Sequence, residues 1–114
     1  MVRVSAFLAL AFLGTGATAQ QCQQIRFLSG ASSGEVSGTV IEGSPKCFTF
    51  GSGAGQMASL DLSGSENACF SIDGVIDCQA NYSFETAGRT YRVGVFQLFP
   101  RSEAETFNLR LTIR

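Results

Sequence analysis

The segment Gly30–Gly34 reads GASSG and fits G-x-S-x-G, the pattern around the nucleophilic serine of many hydrolases. Such a serine is activated by a neighbouring base, which in those enzymes is a histidine. The sequence contains no histidine, and Lys46 is its single lysine. The motif also needs a strand that leads into a helix, whereas Val36 and Val40 follow in a strand-like context. We therefore expect Ser32 to be non-catalytic and the protein not to be an enzyme.

A second glycine-rich stretch, Gly51–Gln56 (GSGAGQ), has the look of a phosphate-binding loop. It lacks the lysine and hydroxyl residue of that motif, and it precedes a strand rather than a helix, so no helix N-terminus faces an anion. Carboxylates for hydrolysis or calcium binding are scattered, with no dense acidic loop. They are Asp61, Glu66, Asp73 and Asp77. We expect a β-turn and a solvated surface, with no cofactor and no metal.

The first residues have the pattern of a secretory signal peptide, which we place at 1–19. An apolar run, Ala6–Leu13, is too short to span a bilayer, and Ala17–Ala19 forms the small-x-small pattern of a cleavage site. A lipid anchor needs a cysteine directly after a short apolar and small-residue box. Cys22 instead follows two glutamines, so we expect no lipid anchor. We predict one domain, 20–114, of 114 − 19 = 95 residues, in a periplasmic or secreted protein.

The charge of this predicted domain argues against two classes of partner. Without Arg3 the chain has 7 basic and 9 acidic residues, a net charge of 7 − 9 = −2. No basic stripe is present, so we expect no nucleic-acid partner. No basic amphipathic helix is evident, so we expect no membrane insertion.

The four cysteines are best explained by disulfides, because the predicted export places the chain in an oxidising compartment. Zinc is disfavoured, since the sequence has neither a C-x-x-C pair nor a histidine. The parity of Cys22, Cys47 and Cys69 in their strands places them away from the main core. We favour the pairing Cys69–Cys78 with Cys22–Cys47, which is one of three possible pairings.

The pattern of apolar residues predicts strands almost throughout. In TFNLRLTIR, the residues Phe107, Leu109, Leu111 and Ile113 share one face, which indicates a half-buried antiparallel strand. Turn signals recur about every ten residues, as in β-sandwiches and barrels. The sequence therefore predicts an all-β, antiparallel β-sandwich or jelly-roll-like domain of about eight strands, stapled by disulfides. The strands begin near Ile25, Val36, Phe48, Ala58, Phe70, Tyr82, Tyr91 and Phe107.

The order of these segments resembles the periplasmic inhibitors of g-type lysozyme. More loosely, it resembles the bacterial pre-peptidase C-terminal domains. The resemblance covers essentially the whole predicted domain, and the order and spacing of its residues carry it. The most specific ones are Phe27, Gly30, Ser32, Ser33, Ser37 and Gly38, followed by Tyr82, Ser83, Gly88, Tyr91, Val95 and Gln97.

This resemblance implies an exported bacterial protein whose partner is a lysozyme, with the g-type first. Members of that family insert surface loops into the substrate cleft of the enzyme. By analogy, Ser32, Ser33 and Ser37 would lie on or beside one binding loop. Their hydroxyls and the backbone amides of Gly34 and Gly38 would bond a catalytic carboxylate. Arg101 would lie on a second loop, where its guanidinium would pair with a carboxylate in the cleft.

The alternative is a module like the pre-peptidase domains, with a structural or carbohydrate-binding role. Sugar-binding surfaces usually need exposed aromatic rings for stacking. The chain has no tryptophan, and its two tyrosines lie in predicted strands. These features favour protein binding, and Phe99 beside Pro100 is a candidate for an exposed apolar anchor.

Overall fold

The alternation of apolar and polar side chains produces the strands of this chain, as the sequence predicts. In the last strand, Phe107, Leu109 and Leu111 are buried, whereas Thr106 before them and Arg110 among them are exposed. A computed structural model describes residues 21–114, and within this range all regular structure is β. The predicted signal peptide, 1–19, lies outside the described residues. No helix that could cross a membrane is found in the described range.

The described part of the chain contains nine strands, one more than the sequence predicts. They are β1 (Gln23–Gln24), β2 (Ser33–Val40), β3 (Lys46–Ser52), β4 (Met57–Ser63), β5 (Ala68–Ile72), β6 (Ile76–Gln79), β7 (Asn81–Glu85), β8 (Arg89–Gln97) and β9 (Glu105–Ile113). The additional strand is β6, which pairs with β5 through a shifted register. We missed it because it is short and follows β5 after a tight turn at Gly74, whose φ is 77°.

The strands form the two sheets of a sandwich. One has five strands in the order β1-β3-β8-β5-β6, and the other has four in the order β2-β9-β4-β7. All strand pairs are antiparallel except β1 with β3, which run parallel. The β-sandwich prediction is therefore confirmed, with this one parallel pair as an exception to the antiparallel arrangement.

Aromatic rings join the two sheets in the core. Phe48 of β3 meets Phe107 of β9 edge-on, with ring centroids 6.0 Å apart. Phe84 of β7 meets Tyr91 of β8 in the same way at 5.1 Å. The Tyr91 hydroxyl accepts a hydrogen bond of 2.9 Å from the amide of Ala87, which satisfies the polar end of a buried ring. The sheets are thus fixed to one another, so the loops at their ends have a rigid base.

Both disulfides form with the pairing that we favoured, Cys22–Cys47 and Cys69–Cys78. The first ties the segment before β2 to β3, and the second links β5 to β6. Cys47 and Cys69 lie outside the hydrophobic core cluster, as their parity predicts, yet both are buried. Cys47 is buried because the Arg92 side chain lies over it on the outer face of the sheet, where the Arg92 Nε donates to the Cys47 Sγ at 3.1 Å.

Candidate functional site

The glycine- and serine-rich segment Gly30–Gly38 is a loop only at its start, and the strand that we predict to begin near Val36 begins at Ser33. A turn closes where the amide of Ala31 donates to the carbonyl of Leu28 at 2.9 Å, with Gly30 at a φ of 80°. Ser32 is exposed at the bend that follows, and its carbonyl accepts from the amide of Ile113 at 2.9 Å. From Ser33 onward the segment is strand β2, so only its first residues belong to a loop.

The two glycines of β2 face inward and make room for aromatic rings. A Cβ on Gly34 would lie 2.6 Å from the carbonyl oxygen of Arg26 and 2.9 Å from Cδ1 of Phe27. A Cβ on Gly38 would lie 3.1 Å from Cζ of Phe107. These close approaches explain why glycine occupies both positions, with no need for a role in binding a partner protein.

The amides of Gly34 and Gly38 also point the wrong way for the carboxylate contact that the resemblance implies. The amide of Ile113 bonds the carbonyl of Ser32, and these residues are opposite each other in the β2–β9 register. Because bonded pairs alternate along an antiparallel ladder, Gly34 and Gly38 also form bonded pairs with β9. On this register their amides are used inside the sheet, so a carboxylate would have to be bound there by other atoms, and the place of Gly34 at an interface stays a prediction.

Ser33 and Ser37 lie on the outer, polar face of the four-stranded sheet. Arg110 of β9 crosses this face, with its Nη1 3.2 Å from Oε2 of Glu35 and its Nη2 3.5 Å from the Ser33 hydroxyl. The amide group of Asn108 donates to Glu35 at 3.3 Å. Ser33 is therefore part of a network on the sheet, whereas Ser37 is exposed in the middle of β2.

We call the end of the sandwich that holds Ser32, the 53–56 turn and residues 86–88 the first end. An open cavity of about 550 Å³ lies there, lined by Ser32, Phe27, Gly53 and Gln56 among others. The turn is held by its own hydrogen bonds, because the Thr86 hydroxyl donates to the Gly53 carbonyl at 2.7 Å. The stretch that has the look of a phosphate loop is thus a β-turn, as predicted.

We call the opposite end, which holds the 41–45, 64–67 and 98–104 segments, the second end. Arg101 lies there, and the amide of Glu42 donates to its carbonyl at 3.2 Å. Its guanidinium is already paired within the loop. The Nη2 atom is 2.7 Å from Oε1 of Glu103, and the Nε atom is 3.3 Å from Oε2 of Glu105. Arg101 therefore stabilises its own loop and is not a free cation.

Glu105 is the best-held carboxylate of the second end. Its oxygens accept from the Ser65 hydroxyl and, at 2.8 Å, from the side-chain amide of Asn67. These hydrogen bonds, from Ser65 first and then Asn67, hold the pKa of Glu105 below its ordinary value. Burial opposes them, and the charge of Arg101 adds the smallest of the lowering effects. A carboxylate that stays charged keeps the Arg101 pair intact.

The structure does not bring the predicted site residues together. In the register of β2 with β9, Ser33 is opposite Thr112 and Val40 is opposite Glu105, so Ser32 and Arg101 lie beyond opposite ends of β2. Eight residues of strand span roughly 25 Å. Lys46 begins β3 near Gly38, with its Cγ 3.9 Å from a Cβ built there. It is therefore far from Ser32, which leaves that serine without a lysine base.

Residues at the second end that we did not predict build the rigid loop. Asn67 binds both main-chain polar groups of Phe99, accepting from its amide at 2.9 Å and donating to its carbonyl at 3.0 Å. Gln97 is buried, accepts from the amide of Arg101 at 3.0 Å and donates to the carbonyl of Glu103 at 2.9 Å. Only the buried parity of Gln97 in β8 signals this role in the sequence. In residues 21–114 no three cysteine or carboxylate side chains form a group that could hold a metal.

Comparison with models of protein families gives no match, and neither does comparison with curated protein sequences. Solved structures do match. The periplasmic lysozyme inhibitor of g-type lysozyme from Aeromonas hydrophila, PliG, is 22% identical with a TM-score of 0.71, over 82% of this chain and 96% of that one. PliG of Salmonella Typhimurium is 18% identical with a TM-score of 0.68, over 84% and 100%. A mutant of PliG from Escherichia coli is 21% identical with a TM-score of 0.66, over 84% and 100%.

These matches define the fold class of the chain. It is a two-sheet β-sandwich of the kind seen in periplasmic inhibitors of g-type lysozyme. The resemblance inferred from the order of the sequence segments is thus confirmed at the level of the fold.

Proposed function

We propose that this protein is an exported bacterial inhibitor of lysozyme, with the g-type as its first target, and that it has no catalytic activity of its own. The observation that carries the proposal is the fold likeness to three g-type lysozyme inhibitors, which extends over 96% to 100% of their chains. A likeness that includes whole inhibitors supports a shared mode of action better than a match to a part would.

The construction of the sandwich suits this function. Two disulfides and a core that spans both sheets hold the loops in place before any partner arrives. Binding by rigid loops avoids most of the entropy cost of ordering them, which is what an inhibitor that competes with a polymeric substrate needs. The absence of histidine from the sequence supports the non-enzymatic part of the proposal.

The residues that contact the lysozyme are proposed to be among Ser32, Ser33, Ser37 and Arg101. The serines belong to the first end and to β2, and Arg101 belongs to the second end. Because the two ends of the sandwich are far apart, only one of them enters the cleft of the enzyme. Gly34, which we also expect at the interface, packs next to Phe27 in addition.

Export is part of the proposal, because the lysozymes that degrade the cell wall act outside the cytoplasm. The signal peptide at 1–19 would direct the chain to the periplasm or beyond and would be cleaved before Gln20. Mass spectrometry of the protein purified from a bacterial periplasm tests this. We expect the mass of a chain that begins at Gln20 and has both disulfides formed. The mass of an uncleaved chain would contradict export by this route.

The test of the function is titration of the purified protein into lytic assays with g-type, c-type and i-type lysozymes. We expect the rate of lysis by the g-type enzyme to fall to near zero at a small molar excess of the protein. A reduced and alkylated sample serves as the control, because it carries the same sequence without the stapled fold. Full lysis by all three enzymes in the presence of the native protein would refute the proposal.

A further inference from the structure

The loop between β8 and β9 presents an aromatic ring to solvent at the second end. Phe99 is 71% exposed, Leu98 before it is 45% exposed, and Pro100 follows. Ile41, at the same end, is 37% exposed. Single exposed apolar residues are ordinary on protein surfaces. Three of the five large exposed hydrophobic residues in the described range share this end, which makes it the more apolar of the two.

The backbone beneath Phe99 is fixed by hydrogen bonds. Asn67 bonds its amide and its carbonyl through the side chain, at 2.9 and 3.0 Å, and accepts from the amide of Leu98 at 2.8 Å through its own carbonyl. Gln97 and the Arg101 ion pairs hold the far side of the loop. The loop is therefore ordered at its base and apolar at its tip.

An exposed ring on a preordered loop is the arrangement expected of a binding anchor. The central residues of protein interfaces are enriched in aromatic side chains that fill pockets on the partner. Such a loop is already ordered in the folded protein, so binding loses little further conformational entropy. A loop with only a structural role would gain nothing from an exposed phenyl ring, because that ring is left in water.

The charges around Phe99 indicate the surface that it fits. At this end the carboxylates of Glu42, Glu66, Glu103 and Glu105 outnumber the cations of Arg101 and Lys46, and Arg101 is occupied by two of those carboxylates. The matching surface is an apolar pocket with a positively charged rim. The first end differs, since Arg26, Arg89 and Arg114 lie there with Glu85.

We propose that the second end is the lysozyme-binding end and that Phe99 is its anchor, inserted into an apolar pocket of the enzyme. This inference rests on the proposed function and deepens it by choosing between the two ends. Arg101, which lies at this end, is then the contact residue among those proposed above, and Asn67 acts as a positioning residue that holds the backbone of Phe99.

The test compares Phe99→Ser with Leu28→Ser in calorimetric titrations against the lysozyme class that the wild type inhibits. Leu28 is the matched control, because it is 84% exposed and lies at the first end. Both residues are on the surface, so both variants should keep the wild-type melting temperature. We expect Phe99→Ser to weaken binding about 30-fold or more, as for an interface anchor, and Leu28→Ser to leave the affinity unchanged.

The other outcomes separate the inference from the proposed function. Wild-type affinity in Phe99→Ser, with or without a loss in Leu28→Ser, overturns the choice of the second end while the inhibitor function stands. Absence of wild-type binding to every lysozyme class removes the function and the inference together. An affinity that rises with salt would also count against the proposal, because attraction between the glutamates and a positive rim is screened by salt.

Discussion

Replacing Gly34 with alanine tests whether this residue has a structural role or a role at the interface. The added Cβ would lie 2.6 Å from the carbonyl oxygen of Arg26 and 2.9 Å from the Phe27 ring. Both distances are shorter than van der Waals contact allows, so the segment before β2 must shift. That segment has little freedom, because the amide of Ile25 donates to the carbonyl of Thr49 at 2.8 Å and the Cys22–Cys47 disulfide ties it to β3.

We expect Gly34→Ala to lower the free energy of unfolding by about 1–3 kcal/mol, the usual cost of overpacking a filled site. In a domain of this size each kcal/mol lowers the melting temperature by about 4–8 °C. The assay is equilibrium unfolding in urea, followed by tyrosine fluorescence and far-UV circular dichroism, with the disulfides intact.

Gly51→Ala is the matched control for this prediction. Gly51 also lies in a strand, but a Cβ there would meet only the Thr90 hydroxyl oxygen at 3.9 Å. Alanine in a strand is favoured over glycine by roughly 0.5 kcal/mol, so this variant should be as stable as the wild type or slightly more stable. If Gly34→Ala were as stable as Gly51→Ala, the packing account of Gly34 would be refuted.

Three further perturbations follow from the structure. Removal of the Cys22–Cys47 disulfide, which spans a separation of 25 residues, should lower the free energy of unfolding by about 3.5 kcal/mol. Removal of Cys69–Cys78, with a separation of 9, should lower it by about 2.5 kcal/mol. Urea unfolding of double alanine variants measures both, and a larger loss for the shorter loop would contradict the chain-entropy reasoning. Because the pKa of Glu105 is held below its ordinary value, chiefly by the Ser65 hydroxyl, its contribution to stability is present above pH 4.5 and is lost as the pH falls through the lowered pKa; the stability difference between wild type and Glu105→Gln should therefore shrink on acidification, and a difference that grows would refute the assignment. Phe70→Ala removes a fully buried ring and should lower the free energy of unfolding by about 3–5 kcal/mol. Thermal unfolding measures this as a lower melting temperature, and retention of the wild-type melting temperature would place this ring outside the core.

Most of the fold follows from the period-two pattern of the sequence. Strands such as β9, with Phe107 and Leu109 buried and Arg110 exposed, alternate over many residues, and a slip of one position would place the apolar set in water. The β6 strand escaped prediction because four residues are too few to establish a period. The β1 strand was predicted slightly too late in the chain, near Ile25, since its two residues, Gln23 and Gln24, are defined only by parallel pairing with β3.

The candidate site was harder to predict, because its geometry depends on long-range pairing. Glycine and serine content predicts a loop at Gly30–Gly38, yet pairing with β9 turns most of that segment into strand. Nothing in the local sequence shows that Gly34 is packed against Phe27. Nor does it show that Arg101 is paired with Glu103 of its own loop and with Glu105 of β9. The separation of Ser32 from Arg101 by the length of β2 is likewise a property of the topology and not of either motif.

The central claim is that this protein blocks the substrate cleft of a g-type lysozyme. It is tested most directly by measuring binding to that enzyme with and without a saturating oligosaccharide of N-acetylglucosamine. Occupation of the cleft by the inhibitor predicts competition, so the apparent affinity should fall in proportion to the oligosaccharide concentration. Binding that is unaffected by the oligosaccharide, or no binding to the enzyme in its absence, would contradict the account.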